Sequence, residues 1–231
     1  MPPTRVPPLE AGVVHVWRAA LEPAPVDAGP DVLSPDERER AARFHFERDR
    51  ARFTACRALL RRLLGGYTGL APEAVAFGYG AHGKPYVEQD AQVRFNLSHS
   101  HGTAMLAFAR QEVGVDVERI RAGLDFAGLA RTCFSAEERE RIFSRPAAEQ
   151  AEAFFEYWTA KEACIKAEGG GLSIPLRRFS IIERGELAEA VAEPGVAMRN
   201  WSVRRLAAGL GYRAAVAACG AGWRVLELEA K

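Results

Sequence analysis

Two acidic residues of one predicted strand, Asp116 and Glu118, have the types and the spacing to hold a cation. The stretch EVGVDVERI (112–120) alternates, so the two carboxylates point to one face and the valines to the other. Two residues of extended chain place their bases about 7 Å apart, which lets both carboxylates converge on one ion. A solvated strand face is the alternative, and the acidic pair alone does not decide between the two.

A predicted helix adds a third carboxylate and two ammonium groups. The stretch FFEYWTAKEACIKAEGGGL (154–172) predicts a helix that ends at its glycine run. At about 100° per residue, Lys161 projects from the middle of the apolar face, while Glu162 and Lys166 share one flank. A buried ammonium is tolerable where it meets a buried anion. The alternative for Glu162 and Lys166, a surface pair worth about 0.3–0.5 kcal/mol, does not account for Lys161. The apolar face consists of Phe154, Tyr157, Trp158, Cys164 and Ile165.

Three further motifs carry groups that could bind an anion. The GKP turn carries Lys84, FNLSHS places Ser98 and His99 at a strand end, and the stretch 43–53 is rich in arginine. A structural role for His99 and a solvated helix face for the arginines are the alternatives. Only four of the 31 basic residues are lysines, and three of the four fall in these motifs and the helix. In such a chain, lysine marks a place that needs a compact, mobile ammonium.

Composition limits the class of function. A chain of 231 residues with a net charge of +1 has no large field to attract nucleic acid or an acidic membrane. No apolar run reaches the roughly 18 residues of a spanning helix, and the N-terminus lacks the order of a signal peptide. The four cysteines show no metal-like spacing and are predicted to be reduced packing residues. We therefore expect a cytoplasmic protein that binds neither nucleic acid nor membrane.

The elements that must position these residues occur in a repeated order. The heptapeptides SPDERER (34–40) and SAEERER (135–141) lie 101 residues apart, and each precedes a helix that ends in glycines. Each half then closes with a strand of small residues. This pattern favours a duplicated α+β unit with halves 1–112 and 113–231 and a binding cleft between them.

Taken together, these motifs resemble a known family. The segments GVDVE, FFEYWTAKEACIKAEGGGL, GKPYV, FNLSHS and LSPDERERAARFHFERDRARF occur at suitable spacing over about residues 33–180. The chain resembles a 4′-phosphopantetheinyl transferase of the larger, monomeric Sfp type. That class activates nonribosomal peptide, polyketide and fatty acid synthases. The resemblance implies an α+β fold of two similar halves related by pseudo-twofold symmetry, with coenzyme A bound at their interface.

The resemblance also implies roles for individual residues. Asp116, Glu118 and Glu162 would hold Mg²⁺, or Mn²⁺, against the coenzyme A pyrophosphate. Lys166 would contact the same phosphates, and Lys161 would support the site. The oxygen-rich, sulfur-free donor set agrees with a hard cation rather than zinc.

The nucleotide end of coenzyme A would meet a second set of side chains. By the resemblance, these are Lys84, Ser98 and His99 for phosphates and ribose, and Arg40, Arg43 and Arg52 near the 3′-phosphate. The sequence departs from relatives at two positions of this region. Glu37 stands where a lysine is expected, and Phe53 stands where a small hydroxyl residue is common.

The implied reaction is transfer of the 4′-phosphopantetheine arm of coenzyme A to a serine of an apo carrier protein, which releases 3′,5′-adenosine bisphosphate. Glu162 is predicted to be the general base, and Lys166 and Lys161 are the other predicted catalytic residues. A metal-dependent phosphohydrolase or nuclease using the same carboxylates is one alternative. A non-catalytic coenzyme A-binding module is another.

Overall fold

Two long helices of equal length organise the helical part of the chain. The computed structural model describes residues 5–23, 29–121, 123–171, 174–185 and 187–230. The long helices each have 22 residues and end at a left-handed glycine, Gly69 and Gly169, as C-caps commonly do. The predicted end of the second long helix at its glycine run is therefore confirmed. The predicted stop of the first long helix at Gly65-Gly66 is wrong, because this helix continues through both glycines to Thr68, and Gly65 serves instead for close packing against the carbonyl oxygen of Leu70. Leu172, the last residue of the family motif, lies outside the described residues. The helices are α1 (Pro35–Ala42), α2 (Glu47–Thr68), α3 (Phe126–Cys133), α4 (Ala136–Phe143) and α5 (Ala147–Glu168).

The strands form two larger sheets and one hairpin. The first sheet has the order β11-β1-β5-β4, the second has the order β6-β10-β9-β8-β7, and β2 pairs with β3. All pairs are antiparallel except β1 with β11. The strands are β1 (Val13–Ala20), β2 (Phe77–Tyr79), β3 (Pro85–Val87), β4 (Arg94–Ser100), β5 (Thr103–Ala109), β6 (Val113–Arg119), β7 (Phe179–Arg184), β8 (Leu187–Ala192), β9 (Trp201–Leu206), β10 (Tyr212–Cys219) and β11 (Arg224–Ala230).

The architecture is of the α+β class, as predicted. The last strand returns to the beginning of the chain, because β11 pairs in parallel with β1, with Val13 opposite Arg224. The first sheet thus contains a strand from each end of the sequence. The division into halves 1–112 and 113–231 and their pseudo-twofold relation stay predictions.

Strand β6 contributes to the contact between the sheets, and its alternation is confirmed. Val113, Val115 and Val117 are fully buried and pack with residues of β1, β5 and β10. Helix α2 packs with residues of the first sheet, and α5 packs with residues of the second. The opposite face of β6, which carries the two acidic residues, is therefore free to meet α5.

Two further sequence predictions concern the cysteines and the membrane. All four cysteines are free thiols, and Cys56 and Cys164 are buried, as expected for packing residues. Within the described ranges, the helices include none with the length and apolarity to cross a bilayer.

Candidate functional site

Helix α5 lies unusually close to strand β6 because of Gly114. A Cβ atom at this position would lie 2.1 Å from the carbonyl oxygen of Ala163 and 2.3 Å from the amide nitrogen of Ala167. Only glycine permits this approach of helix to strand without displacement. The contact brings the flank of α5 that carries Glu162 and Lys166 over the acidic face of β6.

A lysine and an aspartate form the centre of the site. The Lys166 Nζ lies 2.6 Å from Asp116 Oδ1 and donates to Ser98 Oγ at 3.0 Å, while Ser98 Oγ donates to Asp116 Oδ1 at 2.8 Å. Asp116 is 3% exposed. Within the described residues, its Oδ2 atom is buried and has no hydrogen-bond partner. A buried acceptor left unpaired costs free energy, so Oδ2 favours a ligand that supplies positive charge or a proton.

The two glutamates of the site have perturbed acidities. Burial raises the pKa of Glu162, and the charges of Asp116 and Glu118 raise it further, against an opposing effect of Lys166. Burial also raises the pKa of Glu118, with the Ser100 hydrogen bond opposing and Asp116 contributing to the rise. The pKa of Glu162 thus responds to both other carboxylates, and the pKa of Glu118 responds to Asp116. A cation at this place would relieve their mutual repulsion.

The predicted metal ligands do not form a preformed cage. Across the described part of the chain, no group of three or more His, Cys, Asp or Glu side chains is arranged so that it could hold a metal ion. The unpaired Asp116 Oδ2 and the raised pKa values of Glu118 and Glu162 nevertheless fit a hard divalent cation. Ligation by these three residues stays a prediction.

The structure corrects the expected partner of Lys161. Its side chain is fully buried, and Nζ lies 2.8 Å from Glu138 Oε2 and donates to the carbonyl oxygens of Leu176 (2.8 Å) and Phe179. Lys161 therefore faces α4 and the second sheet rather than the site carboxylates. Burial lowers the pKa of Lys161, and the charge of Glu138 opposes the shift.

Lys84 bridges the beginning of β6 and the end of α5. Its Nζ lies 2.8 Å from Glu112 Oε2 and donates to the carbonyl oxygens of Val113 at 3.2 Å and Ala167 at 2.7 Å. An ammonium has three donors, so all of them are directed at protein acceptors. Lys84 thus holds helix and strand together, and its predicted contact with a nucleotide phosphate is not tested by this arrangement.

A cleft of about 280 Å³ opens beside these groups. Glu162, Ile165 and Lys166 line it from α5, and residues of the GKP turn and of β4 line the other side. The cleft therefore brings the predicted general base together with two of the predicted phosphate contacts, Lys166 and Lys84.

His99 lies among cations at one side of the site. The residue is exposed, but partial desolvation by neighbouring atoms lowers the pKa of its ring, and the charges of Lys166, Arg52 and Arg40 lower it further. The charges of Arg40 and Arg52 therefore act on His99, the residue that follows Ser98. A concentration of positive charge of this kind is suited to a phosphate.

The three predicted 3′-phosphate arginines differ in their surroundings. Arg40 lies over the ring of Phe53 at 5.2 Å, so the aromatic residue that departs from relatives supports this guanidinium. Arg52 forms an ion pair with Glu22, with Nε 2.8 Å from Oε1. Arg43 is exposed and pairs with Glu39 of its own helix. The charges of Arg40 and Arg52 thus act on His99, whereas the ion pair of Arg43 is with Glu39.

Sequence reasoning missed residues that hold the site in place. Ser100 Oγ donates to Glu118 Oε2 at 2.8 Å, and Asn96 Oδ1 accepts from the Val115 amide at 2.9 Å. These contacts, with Ser98 to Asp116, join the edge strands β4 and β6 of the two sheets. The matching alternation of polar residues in FNLSHS and GVDVE was the available signal.

Comparison with known families matches nearly the whole chain. A family model described as the 4′-phosphopantetheinyl transferase superfamily matches residues 112–219. A second model, described as the N-terminal part of 4′-phosphopantetheinyl transferase, matches residues 23–111.

Curated relatives bear related names. The 4′-phosphopantetheinyl transferase HetI of Nostoc sp. is 38% identical over 221 residues, which covers 91% of this chain and 90% of HetI. A 4′-phosphopantetheinyl transferase of Bacillus subtilis is 31% identical over 162 residues, covering 68% of this chain and 71% of the relative. The 4′-phosphopantetheinyl transferase Sfp of Bacillus subtilis (strain 168) is 32% identical over 150 residues, covering 64% of this chain and 66% of Sfp.

Proposed function

The chain belongs to the 4′-phosphopantetheinyl transferase superfamily and is a transferase of the Sfp type, and from this premise we propose its reaction. It transfers the 4′-phosphopantetheine arm of coenzyme A to a serine of an apo carrier protein and releases 3′,5′-adenosine bisphosphate. The observation that carries the proposal is the Lys166–Asp116 contact beside Glu162 at the edge of a cleft. Phosphoryl transfer requires positive charge and a positioned proton acceptor, and this arrangement offers both.

Glu162 is the proposed general base. The serine oxygen forms a bond to the β-phosphorus, the bond from that phosphorus to the oxygen of the adenosine bisphosphate breaks, and the serine proton passes to the Glu162 carboxylate. Burial and the neighbouring carboxylates raise the pKa of Glu162, which makes it a stronger base than a solvated glutamate.

Lys166 is the proposed electrostatic catalyst. Its ammonium already contacts Asp116 Oδ1 and Ser98 Oγ, so it is held in one place before a substrate arrives. Charge that is positioned in advance stabilises a transition state without further reorganisation.

The proposal includes a divalent cation. Asp116, Glu118 and Glu162 would hold Mg²⁺, or Mn²⁺, and the unpaired Asp116 Oδ2 supports this assignment. When bound, the ion would neutralise charge on the pyrophosphate of coenzyme A.

We further propose that the nucleotide end of coenzyme A lies along the basic side of the site. His99 and Ser98 would meet the ribose and phosphates, with Lys84 at the turn below. Arg40 and Arg52, whose charges act on His99, would bind the 3′-phosphate, with Arg43 at the outer end of α1. In this arrangement the halves 1–112 and 113–231 meet at the ligand.

The partner class follows from the reaction. Carrier proteins or domains of polyketide, nonribosomal peptide or fatty acid synthases are the proposed acceptors, and the proposed working form is a cytoplasmic monomer. Neither nucleic acid nor membrane is part of the proposal.

Incubation with coenzyme A and Mg²⁺, with and without an apo carrier protein, tests the reaction. We expect a mass gain of about 340 Da on the carrier, the mass of the arm, and release of adenosine bisphosphate only when the carrier is present. Release without a carrier would indicate a phosphohydrolase. Binding of coenzyme A without release would indicate a binding module.

A further inference from the structure

A buried glutamate in the second half of the chain joins three elements. Glu138 is the third residue of α4, and its Oε2 accepts from the Ser135 amide at 2.9 Å in a capping box. The same oxygen lies 2.8 Å from Lys161 Nζ of α5, and Oε1 accepts from the Ile181 amide of β7 at 2.8 Å. One carboxylate therefore connects α4, α5 and β7.

Lys161 completes this connection by contacting a short 3₁₀ helix (Leu176–Arg178). Its Nζ donates to the carbonyl oxygens of Leu176, the first residue of that helix, and Phe179, the residue that caps it. With Glu138, these acceptors occupy all three donors of the ammonium. We call the arrangement of Glu138, Lys161 and the two carbonyls the α5 clasp.

The first half of the chain contains a related arrangement around α2. Glu37, in the capping box of α1, accepts from the Ser34 amide at 3.0 Å and from Arg61 Nε at 2.5 Å. Arg61 Nη1 donates to the carbonyl oxygens of Pro72 at 3.1 Å and Val75 at 2.9 Å, the first residue and the cap of another 3₁₀ helix.

The two clasps match in sequence spacing, in the capping-box glutamate and in the cation that joins it to two carbonyl oxygens, but Glu37 Oε1 pairs with a second cation, Arg57, whereas Glu138 Oε1 accepts from the Ile181 amide. The glutamates are 101 residues apart and the cations are 100 residues apart. The same chemistry at matched places in both halves indicates that the clasp fixes how a long helix is seated, whichever cation is used. We call the arrangement around α2 the α2 clasp.

We propose that the α5 clasp is a positioning device for the transfer reaction, an inference that rests on the proposed function. Lys161 precedes Glu162 directly and lies five residues before Lys166, so a clasp at Lys161 fixes the rotation and the height of α5 at the site. Its contacts lie on the side of α5 away from β6, whereas the Gly114 contact lies on the β6 side. The helix is thereby held from both sides.

A loss of helix positioning can be distinguished from a loss of stability, because single and double substitutions of a buried ion pair affect stability differently. Removing one partner of a buried pair is strongly destabilising, whereas replacing both is often neutral or stabilising. The double variant Lys161→Met/Glu138→Gln removes both charges, and the single carbonyl oxygen of glutamine can accept from one of the two amides, Ser135 or Ile181. We expect it to recover part of the thermal stability that Lys161→Met alone loses.

Turnover should not recover with stability if the clasp positions α5. We expect kcat of the double variant for carrier labelling to fall on the order of 10- to 100-fold, as for a displacement approaching 1 Å. The KM for coenzyme A should change less than kcat. In the double variant, amide hydrogen exchange in peptides covering 154–168 should be faster than in the parent protein. This measurement tests the effect of the clasp on α5 without relying on activity.

Two comparisons complete the experiment. Lys161→Arg should retain more than half of the parental kcat, because arginine serves in the α2 clasp. The comparison variant Arg61→Met/Glu37→Gln removes the α2 clasp and leaves Arg57 to the glutamine oxygen. It should leave kcat near the parental value, and any effect of a shift of α2, which carries Arg52, should fall on the KM for coenzyme A.

Two results would overturn the proposal. They are full recovery of kcat together with stability in the α5 double variant, and hydrogen exchange in α5 that does not change. A parent protein that labels no carrier would refute the proposed function instead, and the exchange comparison would still test the clasp.

Discussion

Gly114→Ala is expected to disable the site by moving one helix. The added Cβ would lie 2.1 Å from Ala163 O, 2.3 Å from Ala167 N and 2.9 Å from Ala167 Cα. All three are backbone atoms of the helix, so no flexible side chain can give way. Because ordinary contact begins at 3.4 Å, α5 must retreat from β6 by up to about 1.3 Å.

The size of the effect follows from that displacement. Overpacking of this kind costs about 1–3 kcal/mol in the free energy of unfolding. The retreat would lengthen the 2.6 Å contact between Lys166 and Asp116 and would displace Glu162 from the cleft. A misplacement of about 1 Å lowers a rate on the order of 100-fold. We therefore expect kcat to fall about 100-fold while most of the protein remains folded.

The assay is the rate of mass gain on an apo carrier protein, with urea denaturation of the same preparation. Gly65→Ala is the matched control, because its Cβ would lie 2.8 Å from the backbone oxygen of Leu70, in α2 and away from β6. It should lose stability without a comparable loss of labelling. Labelling by Gly114→Ala at the parental rate would refute the reasoning that this contact positions α5.

The remaining predictions concern charge at the site. Glu162→Gln should keep the fold but lower turnover at least about 100-fold, and near-normal carrier labelling would contradict its role as base. Asp116→Ala should move the Mg²⁺ titration of activity to higher concentration, and an unchanged titration would count against ligation. Arg52→Ala should raise the KM for coenzyme A but not for 3′-dephospho-coenzyme A; an equal change for both would contradict a 3′-phosphate contact. Because the pKa of Glu162 is raised in the folded state, its ionisation destabilises the protein at neutral pH, and this loss shrinks as the pH falls through the folded-state pKa and vanishes below the unfolded-state pKa. Urea titrations should therefore show Glu162→Gln more stable than the parent at neutral pH and the difference smaller near pH 5, whereas a constant difference would contradict the shift.

The side-chain period of strands and helices, together with residues that begin or end a helix, was sufficient to predict the main elements of the site. The alternation of GVDVE predicted a strand with valines buried and acids on the opposite face, and the valines are fully buried. Each heptapeptide was expected to begin a helix, and in the structure the serine and glutamate of each form a capping box. Such local signals are read directly from side-chain period and capping chemistry.

Contacts between distant segments could not be predicted in the same way. A helical projection shows that Lys161 points inward, but it does not show that Glu138 of another helix is the group that it meets. The parallel pairing of β11 with β1 joins residues more than 200 apart in sequence, for which alternation gives no register. Gly114 lies within the GVDVE motif, but the need for glycine there comes from the close approach of the α5 backbone, which the sequence of β6 does not show.

The most direct test of the central claim is anomalous diffraction from crystals grown with coenzyme A and Mn²⁺. We predict one anomalous peak within about 2.5 Å of oxygens from Asp116, Glu118 and Glu162, with the coenzyme A pyrophosphate on the same ion and Lys166 on its phosphates. Coenzyme A bound elsewhere, or bound here with the three carboxylates apart and no peak among them, would contradict the account.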